Sequence, residues 1–273
     1  MSSATEVSVP QLSPLVGTPG APEILDVRTD EAFAKDPRLI AGAQRRDART
    51  VEEWAPLYSG RRVVVACLAG QERSHGVASW LRQSGAQAQA LEGGFNAWRE
   101  AGGPLVDAGK LPRRDALGRT VWVTRARPKI DRIACPWLVR RFIDPHAVFL
   151  FVPSAQVASV AETFQATPFD VEGVFWSHRG EHCTFDTMLE ELGLEVPALR
   201  QLALIVRAAD TARMDVAPEA AGLLAVSVGL SRLYQDDLQQ LEATLAVYDA
   251  LYLWVQGAAD DTHNRPSLIP ASA

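Results

Sequence analysis

Val63-Val64-Val65-Ala66 is an apolar, mostly β-branched run that ends in Cys67. A polar loop follows, and from Ser74 onward the apolar positions Val77, Ala78, Trp80 and Leu81 return at helical spacing. The pattern predicts a buried strand, a tight loop and a helix over 74–84, with Ser74 as N-cap and Gly85 as stop. Upstream, 23–27 reads as a strand, 29–33 as a helix start and 50–57 as a helix with Trp54 inward. Downstream, 88–91 is a short strand and 95–101 a helix whose Trp98 packs in the core. Residues 1–20 are rich in Ser, Pro and Gly and read as a flexible arm, and 107–119 has linker composition.

The second half opens on a strand at 121–125 and a helix capped by Asp131, with Ile133, Trp137, Leu138 and Arg141 on one face. Pro136 falls inside that helical pattern. Strands follow at 147–152 and, broken near Gly173, at 169–178, with helices at 154–164, 184–192, 196–209 and 218–230. Leu238, Leu241, Leu245, Tyr248, Leu251 and Tyr252 mark a long amphipathic helix over 234–256. The expected organisation is an arm (1–20), a first domain (21–106), a linker (107–119), a second domain (120–257) and a disordered tail (258–273).

A length of 273 residues suits two domains. No run of about 18 apolar residues occurs, so no membrane span is expected. The start lacks a charged region followed by an apolar one, and three scattered cysteines argue against a disulfide framework. A reducing, cytoplasmic setting fits. The net charge of −6 makes nucleic acid an unlikely partner, but the charge is uneven. Residues 110–141 hold ten Lys and Arg against two acids, and 142–273 hold six against eighteen. The basic stretch could bind an anion; pairing of its arginines with the acidic half is the plainer expectation.

The chemistry centres on Cys67. A thiol over the amino end of a helix meets unpaired N–H groups and a favourable dipole, and Arg73 adds a cation. Together these should lower the thiol pKa and make the thiolate a nucleophile. The same N–H groups would hold a tetrahedral oxyanion. The plain alternative is a small buried residue at a strand end.

Asp26-Val27-Arg28, the loop from Cys67 to Arg73-Ser74, and Leu91-Glu92-Gly93-Gly94-Phe95-Asn96-Ala97-Trp98 together resemble a rhodanese domain over about 20–105. Leu39-Ile40-Ala41-Gly42-Ala43 fits a further stretch of that pattern. The resemblance implies an α/β fold, a parallel sheet flanked by helices, with Asp26 and Arg28 structural. It also implies a persulfide carried by Cys67 from a small sulfur donor to a thiol acceptor, with no cofactor. The anion loop would be Leu68, Ala69, Gly70, Gln71, Glu72 and Ser74, with Arg73 catalytic beside Cys67. Five residues separate Cys67 from Arg73, where the usual sulfurtransferase loop has four. That spacing resembles the phosphatases and arsenate reductases of the same fold, and it sets Glu72, a charge that repels anions, at the site.

Thr124-Arg125, Asp131-Arg132, the run from Trp137 to Asp144, Ser177-His178-Arg179-Gly180-Glu181, Cys183-Thr184-Phe185-Asp186 and the 221–223 region resemble the C-terminal domain of the chromate-resistance protein family ChrB. The resemblance covers about 120–255, implies a role in chromate resistance or sensing, and leaves the domain's chemistry open. A mostly helical α+β domain is expected. Within it, His178, Glu181, His182, Cys183 and Asp186 lie close in sequence, and imidazole, thiolate and carboxylate suit zinc or another divalent transition metal. The candidate ligands are His178, Glu181, Cys183 and Asp210; the plain alternative is a polar turn with Cys183 packed inward. The family pattern has a histidine where this chain has Arg207. Asp131, Arg132 and Arg141 are a candidate anion pocket, surface ion pairing being the alternative. Three functions remain open: a sulfurtransferase, an oxyanion reductase or phosphatase with Cys135 or Cys183 as second thiol, and a non-catalytic sensor of chromate or metal. Oligomeric state is undetermined.

Overall fold

A computed structural model describes residues 4–257; the expected tail at 258–273 lies outside the described residues. The first half runs β1 (Glu6–Val7), α1 (Val9–Leu12), β2 (Glu23–Asp26), α2 (Asp30–Lys35), β3 (Arg38–Ile40), β4 (Ala43–Arg45), α3 (Val51–Trp54), β5 (Arg62–Ala66), α4 (Glu72–Gln83), β6 (Gln87–Leu91), α5 (Gly94–Glu100) and β7 (Leu105–Asp107). Five of these strands form one parallel sheet in the order β1-β6-β5-β2-β4. This is the expected rhodanese-like α/β sheet. The central strand β5 is buried on both faces, which is why its sequence is an unbroken apolar run. Val64 and Ala66 point into one core, Val63, Val65 and Cys67 into the other, beneath α4. Cys67 thus stands at the carboxyl end of the central strand, where open α/β sheets place their sites.

The second half runs β8 (Val121–Arg125), α6 (Asp131–Phe142), β9 (Val148–Val152), α7 (Val157–Phe164), β10 (Thr167–Pro168), α8 (Thr184–Leu192), α9 (Pro197–Asp210), α10 (Ala220–Leu233) and α11 (Asp237–Gly257). A three-stranded parallel sheet, β10-β8-β9, is covered on one face by α7 through Val123, Val157 and Ala166. Its other face joins the helical core around Trp137, whose ring packs against Phe142, Phe185, Tyr248 and Tyr252. Helix α6 continues through Pro136.

Several expectations are corrected. Residues 1–20 are not only an arm: β1 pairs with β6, Glu6 opposite Ala90, and Leu12 is fully buried. Helix α4 begins at Glu72 with Gln71 as N-cap, so Ser74 lies inside the first turn and is buried. The 50–57 helix is a four-residue α3 between 3-10 turns, with Pro56 at the break. Residues 169–178 are not a strand; the chain doubles back so that the Asp170 N–H bonds the Trp176 carbonyl at 2.8 Å. The linker opens in β7, which pairs antiparallel with β3.

The two halves share one hydrophobic cluster, which runs from Ile24, Ile40 and Trp98 to Phe142 and Trp137. Asp144, fully buried, accepts hydrogen bonds from Thr120 N and Oγ1 and from Gln44 across the junction, and pairs with Arg114. The basic stretch is consumed largely by the acidic half: Lys110 pairs with Glu191, Arg125 and Arg132 with Asp170, Arg140 with Glu242, and Arg141 with Asp249.

Candidate functional site

The Cys67 loop is shaped from behind by the 93–94 glycines. Phe95 N donates to the Cys67 carbonyl at 2.8 Å and Asn96 N to the Leu68 carbonyl at 3.0 Å. Tying both carbonyls to the amino end of α5 leaves the loop N–H groups free to turn toward the thiol. Gly70 and Gly94 both have positive φ, and their backbones touch. A Cβ on Gly94 would lie 2.3 Å from the Cys67 carbonyl oxygen, and one on Gly70 2.5 Å from Gly93 N. The loop closes this tightly only because neither residue has a side chain.

On the front, Gln71 N–H donates to Cys67 Sγ at 3.3 Å, and Ser74 Oγ lies 3.3 Å from the same sulfur. Burial raises the thiol pKa, but hydrogen bonds from the Ser74 hydroxyl and from backbone N–H groups at Gln71, Ser74 and Ala69 outweigh it, leaving the thiol below its ordinary value. Ser74 Oγ also donates to the Gln71 carbonyl at 3.0 Å. The one hydroxyl proton is within reach of both the carbonyl and the sulfur.

Arg73 is not among the leading influences on the thiol, which are burial and these hydrogen bonds. Its guanidinium helps hold down Asp47, a carboxyl kept at about 2 chiefly by hydrogen bonds from Arg49. It lines a cleft of about 340 Å³ with Arg28, Arg45, Arg46 and Arg49, against Asp30, Glu31 and Asp47. Glu72 is exposed at the first position of α4 and, with Arg73 and Trp80, lines a shallow neighbouring cleft. Asp26 and Arg28 form the expected structural pair. Their side chains meet at 2.5 Å, and Arg28 stacks on Phe95, so the pair braces α5 against the sheet.

In the second half, His178 Nε2 lies 3.2 Å from Asp170 Oδ1, 3.4 Å from Asp131 Oδ2 and 3.4 Å from Asp210 Oδ2. Asp131 comes from the first turn of α6, Asp210 from the last residue of α9, and Asp170 and His178 from the doubled-back loop. Asp131 is held by N–H groups of Thr184 (2.6 Å) and Phe185 (3.0 Å) at the start of α8. Thr184 Oγ1 donates to Asp170 at 3.0 Å. Hydrogen bonds to Asp131 and Asp170 raise His178 to about 10 against its burial. Burial, then the charges of Asp131 and Asp170, raise Asp210 to about 6.

Of the expected ligands, His178 and Asp210 come together. Glu181 and Cys183 do not: Glu181 is exposed on the turn, and Cys183 is buried as the N-cap of α8, its thiol pushed up by burial. The anion pocket of Asp131, Arg132 and Arg141 does not form. Arg141 is spent on Asp249 at 2.8 Å, Arg132 turns to Asp170, and Asp131 joins the carboxylates. Arg207 lies 3.7 Å from Asp186, outside the cluster. Asp170 went unrecognised because nothing in its sequence neighbourhood marks it; only the fold brings it to His178. Cys135 is fully buried with its thiol pushed well up by burial, so neither it nor Cys183 is a ready second thiol for Cys67.

Residues 8–101 match the family model for the rhodanese-like domain, and residues 122–255 match that for the ChrB C-terminal domain. Protein ChrB of Cupriavidus metallidurans is 37% identical over 155 residues, which are 55% of this chain and 46% of that protein. The chain therefore spans about half the length of that curated relative. Among solved structures, a protein from Staphylococcus saprophyticus is 27% identical over 34% of this chain and 90% of its own, with a TM-score of 0.30. A rhodanese-related protein from Thermoplasma volcanium is 26% identical over 37% of this chain and 97% of its own, with a TM-score of 0.33. No helix among the described residues is long and apolar enough to cross a membrane.

Proposed function

We propose that this chain, a rhodanese-like domain joined to a ChrB C-terminal domain, carries sulfur as a persulfide on Cys67 in the response to chromate or a related oxyanion. The supporting observation is the setting of the sulfur. A buried thiol that accepts the Gln71 N–H and lies 3.3 Å from the Ser74 hydroxyl is held below its ordinary pKa chiefly by hydrogen bonds of this kind. In the first step the Cys67 thiolate attacks the outer sulfur of a donor such as thiosulfate. The new S–S bond forms as the sulfur–sulfur bond of the donor breaks, and sulfite leaves with its electron pair. In the second step an acceptor thiolate attacks the outer sulfur of the persulfide, becomes a persulfide itself and returns Cys67 as thiolate. The loop N–H groups solvate the anionic sulfur at each stage, and neither step needs a cofactor.

A second reading, attack on a larger tetrahedral oxyanion or ester, is favoured by the five-residue spacing and by the arginine-lined cleft beside Arg73. The burial of Cys135 and Cys183 means that any reductive cycle would draw its second thiol from outside this chain.

Intact-mass measurement after thiosulfate treatment separates the two. The expected outcome is one added sulfur per chain, absent in Cys67→Ser and released by an acceptor thiol. No adduct on a Cys67 that still reacts with an alkylating reagent would reject sulfur transfer from thiosulfate and direct attention to arsenate, chromate and phosphate esters.

A further inference from the structure

The cluster around His178 has the dimensions of a coordination shell. Donor atoms about 2.1 Å from a shared ion, at tetrahedral or octahedral angles, stand about 3.0–3.4 Å apart. His178 Nε2 lies 3.2, 3.4 and 3.4 Å from oxygens of Asp170, Asp131 and Asp210, and the donor atoms of Asp131, Asp170 and His178 all lie within 4.8 Å of one another. Two of the carboxylates are nine-tenths buried or more, Asp131 at 1% and Asp170 at 7% exposure. Three carboxylates drawn to one point at the cost of their hydration need positive charge there. Arg125 and Arg132 reach only Asp170, by its other oxygen, Oδ2. Of the oxygens facing His178, Asp131 Oδ2 accepts the Thr184 N–H and Asp170 Oδ1 the Thr184 hydroxyl, neutral donors that bring no positive charge.

A second observation points the same way. Thr124 is fully buried at the end of β8, and its hydroxyl has no hydrogen-bond partner among the described residues. It shares a sheet face with Trp122, two residues back, whose ring packs on Phe169 and Trp176, beside Asp170 and His178. The unused hydroxyl therefore stands on the side where the cluster gathers. These carboxylates are held from outside: Thr184 N and Phe185 N orient Asp131, Thr184 Oγ1 orients Asp170, and the Asp131 N–H supports Asp210. An open cleft of about 540 Å³ reaches His178 and Asp170 past Arg125, Glu172 and Ser177, so an ion could exchange and would keep positions for water or an oxyanion.

We infer that Asp131, Asp170, His178 and Asp210 form a binding site for one divalent first-row transition ion of the manganese, iron or zinc type, on the sheet face that also carries the unpartnered Thr124 hydroxyl. Three hard oxygens and one imidazole favour this class over a thiolate-preferring ion. Glu181 and Cys183 are not ligands.

The test uses the full chain, stripped with a chelator and titrated with Mn²⁺ and, separately, Zn²⁺ by calorimetry. The wild type should take up one ion per chain. Asp210→Asn and His178→Gln should each weaken uptake at least tenfold, and Glu181→Gln should leave it unchanged. Bound Mn²⁺ should show a nitrogen coupling in its electron spin resonance that disappears in His178→Gln. The ion should also raise the melting temperature of the wild type and not that of Asp210→Asn. Circular dichroism establishes that the variants are folded. Failure of the folded wild type to take up either ion overturns the inference whatever the variants do, and leaves His178 as a cation paired with carboxylates. Uptake that survives both ligand substitutions places the ion elsewhere and overturns it equally.

Discussion

At the scale of single residues, the Cys67 thiol is activated by hydrogen bonding. Ser74, fully buried, contributes a hydroxyl where an arginine was expected to contribute charge. The ionised form is the reactive one, and a lowered pKa keeps it populated at a pH where an ordinary thiol, near 8.5, is protonated. The rate of Cys67 alkylation should therefore rise with pH to a plateau whose midpoint lies below that of a free cysteine. Removing the hydroxyl in Ser74→Ala takes away a hydrogen bond to a charged group worth about 1.5 kcal/mol, so the midpoint should climb by about one pH unit. Arg73→Ala should move it less than Ser74→Ala does. A midpoint that follows Arg73 and ignores Ser74 would restore the arginine-based account of the thiol.

Elements matter here mainly through their ends. The loop after β5 is held by the start of α5, and the contact between Gly70 and Gly94 sets how closely the two approach. Gly94→Ala adds a methyl group 2.3 Å from the Cys67 carbonyl oxygen at a residue with φ of 57°. Left-handed strain and overpacking together should destabilise the fold by about 2–5 kcal/mol, read as a lower urea midpoint, and slow Cys67 alkylation by displacing the loop. Gly102→Ala has a similar φ but open space around it, so it reports the strain alone. In the second half, α6 begins at Asp131 directly after Ile130, a β-branched residue at φ 38° held by Ser227 and Tyr248. That conformation is costly for such a side chain and persists because its neighbours fix it. It fixes the point at which Asp131 leaves the backbone and meets α8.

Over the whole molecule, the two domains are packed as one body of core. Phe142, at the end of α6, is fully buried, packs against Trp137 and Tyr252, and its ring fills the space over Gly17 of the first half. Its carbonyl accepts the Gly42 N–H at 2.5 Å. Phe142→Ala should cost about 3–5 kcal/mol and lower the stability of both halves together, in one cooperative urea transition followed by circular dichroism and by tryptophan fluorescence. Two separated transitions in the wild type would mean that the junction contributes little. What was legible in the chain itself was local. The apolar run into Cys67, the helix after it, the long helix at the end and the pairing of the basic stretch with the acidic half all follow from spacing and composition, because each is set by neighbours a few residues away or by overall charge balance. The pairing of residues 6–7 with β6, the Ser74 contact with sulfur, and the gathering of Asp131, Asp170, His178 and Asp210 were decided only by the tertiary structure. The physical reason is that each joins groups from separate elements, brought within a few ångströms by packing, and no local pattern in a sequence encodes that distance.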